Sequence, residues 1–161
     1  MTMKIEIKVR DYGTMIAELY PEKAPKTVEN FLGLIDRNFF DGLIFHRIIA
    51  GFMIQGGGYN ENFKHKDTPS IKGEFAANGF AQNDIKHTRG VLSMARTNEP
   101  DSASSQFFVM HAAAPHLDGQ YAAFGCVIEG LDVVDAIATV PTDYNDCPRF
   151  PVVIETIRRA D

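Results

Sequence analysis

Apolar and polar residues alternate near the start of the chain: Ile5, Ile7 and Val9 are separated by Glu6 and Lys8. Beyond the turn residues Asp11-Tyr12-Gly13 the same period returns at Met15, Ala17 and Leu19. A two-residue period predicts a β-hairpin with one face in a core. From Pro25 to about Asn38 the spacing becomes i, i+3, i+4, i+7 at Val28, Phe31, Leu32 and Ile35, which predicts an amphipathic helix with proline in its first turn. Two apolar runs within residues 45–58 hinge at Ala50-Gly51 and end in Gly56-Gly57-Gly58, the mark of a second hairpin. Residues 59–70 are polar and aperiodic, a surface loop; Ser70–Phe75 has the makings of a short extended piece, and residues 76–87 of irregular chain. Strand-like runs follow at Val91–Ala95, from Ser105 through Met110, at Tyr121–Ile128 and at Val152–Ile157. Val133, Val134, Ile137 and Val140 mark a second, shorter helix ahead of a loop punctuated by Pro141, Pro148 and Pro151.

That makes about eight strands and two helices, with connections too short or irregular for repeated crossover helices, which argues against a doubly wound sheet. A mainly β fold is expected, its antiparallel sheet closed into an eight-stranded β-barrel and capped by two α-helices. Residues 1–161 form one domain, with no linker or internal repeat. At 161 residues the chain can bury roughly 70% of its unfolded surface, so no cofactor or disulfide is needed for stability.

Charge and composition narrow the partners. A net charge of −5 leaves no basic footprint, so nucleic acid and anionic membranes are not expected. No apolar leader and no long apolar run occur, which makes the cytoplasm the default location. Cys126, in an apolar run, reads as a small buried hydrophobe, and with Cys147 it forms no Cys-x-x-Cys pair. The five histidines include no His-x-x-x-His, there is no Gly-x-Ser-x-Gly elbow, and no Gly-Lys-Ser/Thr follows the glycine run, so metal, nucleophile and phosphate-loop sites are not expected.

The informative stretch is Phe45-His46-Arg47-Ile48-Ile49-Ala50-Gly51-Phe52-Met53-Ile54-Gln55-Gly56-Gly57-Gly58. A guanidinium stays charged and carries five donors, so Arg47 in an apolar hairpin demands either a structural carboxylate partner or a ligand that accepts hydrogen bonds. A two-residue turn at Ala50-Gly51 with strict alternation puts Arg47 and Gln55 on opposite faces; only a bulge or strand end near Phe52-Met53 brings them together.

With Leu92-Ser93-Met94-Ala95, Ser105-Gln106-Phe107-Phe108 and Leu117-Asp118-Gly119 following in order, the chain closely resembles the cyclophilins over nearly its whole length. The resemblance implies a peptidyl-prolyl cis-trans isomerase that needs no cofactor and acts on proline-containing peptides and on unfolded or folding proteins, as a cytoplasmic monomer. Matched by position, Arg47 resembles the family's catalytic arginine and Gln55 the glutamine that orients it. Phe52, Met53, Phe108 and Leu117 resemble the walls of the proline pocket, while Ala95 and the backbone of Arg96 lie where the family lays the substrate chain. Thr97, Gln106, His116 and Tyr121 complete the expected substrate-binding set.

The departures carry expectations of their own. His116 stands where many members have the tryptophan associated with tight cyclosporin binding, so only weak binding of that drug is expected. Tyr121 replaces a common pocket histidine with another flat wall. Arg96 and Thr97 replace Asn and Ala, and the segment between Met94 and Gln106 is one residue longer than is common, leaving residues 97–104 without a correspondence. The competing expectation is a proline-peptide binding module or chaperone with weak catalysis, which shares every pocket residue.

Overall fold

The computed structural model describes residues 3–160. Its eight strands are β1 (Met3–Val9), β2 (Gly13–Leu19), β3 (Arg47–Ile49), β4 (Met53–Gly56), β5 (Val91–Met94), β6 (Phe107–Met110), β7 (Ala123–Glu129) and β8 (Ile154–Arg159). The helices are α1 (Pro25–Asp36) and α2 (Leu131–Ala138). All eight strands join one antiparallel sheet in the order β3-β4-β6-β5-β7-β2-β1-β8. The expected extended piece before Phe75 is not a strand, and residues 76–78 form one short 3-10 turn.

The expected closure of the barrel is not found. The sheet curls into an open half-barrel, because its end strands β3 and β8 do not pair. β3 has only three residues, and the Ile48 N–H is taken by Asp146 O (2.7 Å) from the proline-punctuated loop. The gap is crossed instead by the chain before β3: Gly42 N–H donates to Ile154 O (2.9 Å), Phe45 N–H to Val152 O (3.0 Å) and Ile154 N–H to Leu43 O (2.7 Å). A short edge covered by a loop is one way a sheet avoids exposing unpaired strand groups.

Inside the curl, Phe31 of α1 packs on the rings of Phe40, Phe107 and Phe124 at centroid distances of 4.9–5.3 Å. Around them lie fully buried Ile5, Ile7, Met15 and Leu19, the residues whose alternation marked the first hairpin. α1 begins at Ala24-Pro25 without a side-chain cap of its own. A distant residue fills that role: the buried Glu74 carboxylate accepts from the N–H groups of Lys26 (3.2 Å) and Thr27 (2.7 Å) and from Thr27 Oγ1 (2.7 Å). The two backbone N–H groups are donors that a helix start leaves unsatisfied, and a negative charge there also meets the positive end of the helix dipole.

A second apolar cluster lies on the other face of the sheet, built from Met53, Val91, Phe108, Met110, Ala114, Leu117 and Ala123. The run Phe107-Phe108-Val109-Met110 therefore does not alternate in polarity: Phe107 and Val109 face the main core, Phe108 and Met110 the second cluster. A strand covered on both faces reads as a continuous apolar run. Cys126 packs at the edge of this outer cluster, half-buried where full burial was expected, and neither cysteine forms a disulfide. Among the described residues no helix is long and apolar enough to cross a membrane.

Candidate active site

Strand register assembles the site. Arg47 of β3 pairs with Gln55 of β4, Gln55 with Phe108 of β6, and Phe108 with Ser93 of β5, one row running across four strands on the outer face. Arg47 and Gln55 are brought together at the strand end expected near Phe52-Met53, not across a two-residue turn at Ala50-Gly51. Ile49 pairs with Met53, so the loop holds three residues, Ala50, Gly51 and Phe52, and the extra one returns Gln55 to the face of Arg47. Phe52 N–H closes the turn on Ile49 O (3.0 Å), and Gly51 has φ 79°, the left-handed value that such a turn requires near its end.

Below this row opens a cavity of about 130 Å³ lined by Phe52, Met53, Ala95, Phe108, Leu117 and Tyr121, with Arg47, Gln55 and Arg96 at its polar edges. Cavities of roughly 150 Å³ are known to hold a six-membered ring, so this one suits a single small ring. Arg47 is exposed and, among the described residues, no carboxylate lies within ion-pair distance of it. The structural ion pair weighed for it is absent. Its Nη1 donates to Gln55 Oε1 (3.3 Å), and Gln55 Nε2 donates in turn to Gln106 Oε1 (3.0 Å), which fixes which way the Gln55 amide points. Among the described residues the other guanidinium N–H groups have no protein partner and face solvent at the cavity edge.

Arg96 is held more firmly. Its guanidinium lies 4.7 Å from the Phe75 ring centroid and 4.6 Å from that of Tyr121, while Nη1 and Nη2 donate to Thr97 O (2.9 Å) and Gln120 O (2.7 Å). The side chain thus braces Tyr121 against the cavity by cation–π contact. Thr97 and Gln106 line a neighbouring polar groove that shares Gln55, Ala95 and Arg96 with the cavity. His116 lies outside both, exposed on the rim with its ring 5.9 Å from that of Phe52. Nine of the twelve expected residues therefore meet at one cavity, two sit in the adjoining groove and one on the rim.

Sequence reasoning missed the layer behind the cavity. His87, 1% exposed, binds Ser93 Oγ through Nε2 (2.8 Å) and Asp118 Oδ1 through Nδ1 (3.3 Å), while its ring stacks on Phe108. Burial pushes the imidazole pKa below its ordinary value, against the opposing pull of the Asp118 hydrogen bond. The three residues are scattered in the chain, and the blocks that hold Ser93 and Asp118, Leu92-Ser93-Met94-Ala95 and Leu117-Asp118-Gly119, read as a strand and a turn. His46, beside Arg47, has a buried Nδ1 with no hydrogen-bond partner among the described residues and packs edge-on to Tyr59. Burial first, then the Arg47 charge and His65, push its pKa down to about 4, so it is neutral near pH 7.

A half-barrel with an apolar ring-sized cavity, beside a guanidinium that no carboxylate among the described residues pairs, has the shape to take a small cyclic group and the donors to bond it. Residues 2–159 match the family model described as cyclophilin type peptidyl-prolyl cis-trans isomerase. The chain belongs to that family and is a peptidyl-prolyl cis-trans isomerase. A peptidyl-prolyl cis-trans isomerase of Acinetobacter baylyi is 46% identical over 164 residues, covering 96% of this chain and 84% of that one. Isomerase B of Escherichia coli is 40% identical over 160 residues, covering 91% and 94%. In structure the chain is similar to a cyclophilin-type isomerase of Cryptosporidium parvum, with TM-score 0.87 and 28% identity over 100% of this chain and 99% of that one. A second structure of that protein, obtained in the presence of the dipeptide Ala-Pro, gives TM-score 0.84.

Proposed function

We propose that Arg47 is the electrostatic catalyst of this isomerase and that the apolar cavity beside it seats the proline ring of X-Pro peptides and folding proteins. The observation that carries this reading is the exposed guanidinium, without a carboxylate partner among the described residues, on the same row as the cavity wall Phe108.

The reaction breaks no covalent bond. Amide resonance gives the X-Pro bond its barrier of roughly 18–20 kcal/mol. In the twisted transition state resonance is lost and the proline nitrogen regains a lone pair. A donor aimed at that nitrogen therefore stabilises the transition state more than either planar ground state. Arg47 supplies the donor, and Gln55, fixed by Gln106, holds it over the cavity. Phe52, Met53, Phe108 and Leu117 grip a ring that has no N–H of its own and keep water from it. Lowering the barrier by about 7 kcal/mol accelerates rotation roughly 10⁵-fold. A rim residue at position 116 that is histidine rather than tryptophan goes with weak cyclosporin binding.

The test is exchange NMR on a short X-Pro peptide with wild type and Arg47→Ala. The variant is expected to keep its fold and bind the peptide while its rate falls about 10²–10³-fold, the scale of losing one preorganised donor. A rate within twofold of wild type would remove Arg47 from the mechanism.

A further inference from the structure

The tip of the β3–β4 hairpin, which carries Phe52 into the cavity, is tied to α2 through a single histidine. Gly51 N–H donates to His111 Nδ1 (2.8 Å), and His111 Nε2 lies 3.1 Å from Asp135 Oδ1. Asp135, on α2, is itself held by Arg89 through Nη1 (2.6 Å) and Nη2 (2.9 Å). The backbone completes the tie: His111 N–H donates to Phe52 O (2.9 Å), and Arg89 Nη1 donates to His111 O (3.3 Å).

These bonds fix the tautomer. A ring nitrogen that accepts from a backbone N–H carries no proton, so Nδ1 is bare and the proton of the neutral ring sits on Nε2, where it donates to Asp135. The carboxylate therefore selects the ring form that can hold Gly51. Gly51 is exposed and in the left-handed region, a turn residue with little packing of its own to keep it in place. The next residue is Phe52.

We infer that His111, oriented by Asp135, is a positioning residue for the isomerase: it clamps the Gly51 turn and so presets Phe52 as a wall of the proline cavity. The inference rests on the cavity being the proline site. His111 touches no substrate, and its effect falls on binding, because Phe52 contacts the ring equally in the planar and twisted states.

The experiment compares wild type, His111→Phe, His111→Asn and Asp135→Asn, with Arg47→Ala in parallel. Phenylalanine keeps a flat ring and removes the acceptor; asparagine places a carbonyl oxygen near the position of Nδ1. The dissociation constant for an X-Pro peptide should rise about fivefold in His111→Phe, the scale of one lost hydrogen bond. It should return to within twofold of wild type in His111→Asn, with the exchange rate at saturation unchanged in both. In wild type, ¹⁵N–¹H correlation spectra of the His111 ring should show the proton on Nε2 and a bare Nδ1, and Asp135→Asn should mix the two tautomers. That measurement stands even where a variant fails to fold. Unchanged affinity in folded His111→Phe, or a proton on Nδ1 in wild type, overturns the clamp. If Arg47→Ala keeps the wild-type rate, it is the catalytic reading of Arg47 that fails, and the clamp is still judged by affinity alone.

Discussion

Phe107 and Phe108 are neighbours in β6 and both are buried, yet they belong to different regions of the molecule. Phe107 points into the curl of the sheet, where its ring meets Phe31, Phe40 and Phe45. Phe108 points outward, between His87 and Tyr121, and forms a wall of the cavity. The inner face is held by shape: rings packed against rings, with dispersion and burial doing the holding. The outer face is held by directed bonds, Arg47 to Gln55 to Gln106 on one side and Asp118 to His87 to Ser93 on the other. One strand thus divides two tasks between alternate residues. Stability resides on one side of it, and a cavity open to ligand is kept in form on the other.

Truncating each ring is the harshest test of that division. Phe107→Ala leaves a void among the rings of Phe31, Phe40 and Phe45 and is expected to cost about 3–5 kcal/mol in chemical denaturation. Peptide affinity of the fraction that stays folded should be nearly unchanged. Phe108→Ala should reverse the weighting, with peptide affinity falling about tenfold or more while stability drops by roughly half as much as for Phe107→Ala, since the cavity already forms part of its surroundings. Equal losses of stability and affinity in the two variants would show that the faces are not separate.

Acid probes the chain around the site through the imidazoles of His46 and His87. The folded His46 pKa of about 4 lies below the ordinary 6.5, so between these values the unfolded chain binds more protons than the folded one. Stability from this group is complete above pH 6.5 and declines as pH falls toward 4, by roughly 3 kcal/mol in all. His87, shifted in the same direction, adds to the slope. Denaturation midpoints measured from pH 7 to pH 4.5 should fall, and His46→Phe should flatten much of the decline. A flat profile in wild type would mean that neither imidazole is held neutral by the fold.

The inner face was legible in the sequence because its signal is periodic. Alternation at Ile5 to Leu19 and helical spacing at Val28 to Ile35 report a buried side directly, and the structure places those residues in the core. Barrel closure was not legible, since it depends on whether two distant edges meet, and the three residues of β3 do not reach β8. At the site, Arg47, Gln55 and Phe108 could be named from the resemblance, but their shared row hung on a single loop residue, Phe52, that pattern alone assigned to the wrong register. The supporting histidines were less visible still. His87 and His111 act through partners 31 and 60 residues away, Asp118 and Gly51, and no local spacing marks such pairs.

The gentlest probe of the outer face is a single methyl group. A Cβ added at Gly58 would lie 2.5 Å from Cγ and Nε2 of Gln106, too close for both to stay. Gln106 is a flexible side chain that can swing aside, so the fold should lose little, below about 1 kcal/mol. The swing breaks the bond from Gln55 Nε2 to Gln106 Oε1, and the Gln55 amide is then free to turn its oxygen away from Arg47. The Arg47 donor stays present but less well aimed, so on the proposed mechanism Gly58→Ala should slow exchange at saturation about three- to fivefold, somewhat less than the net value of one hydrogen bond. Gln106→Leu should give a similar loss, and the double variant no more than either alone, because both act through the same bond. Additive losses would place the effect of Gly58 elsewhere in the groove, and the relay from Gln106 to Arg47 would no longer account for how the outer face holds that guanidinium.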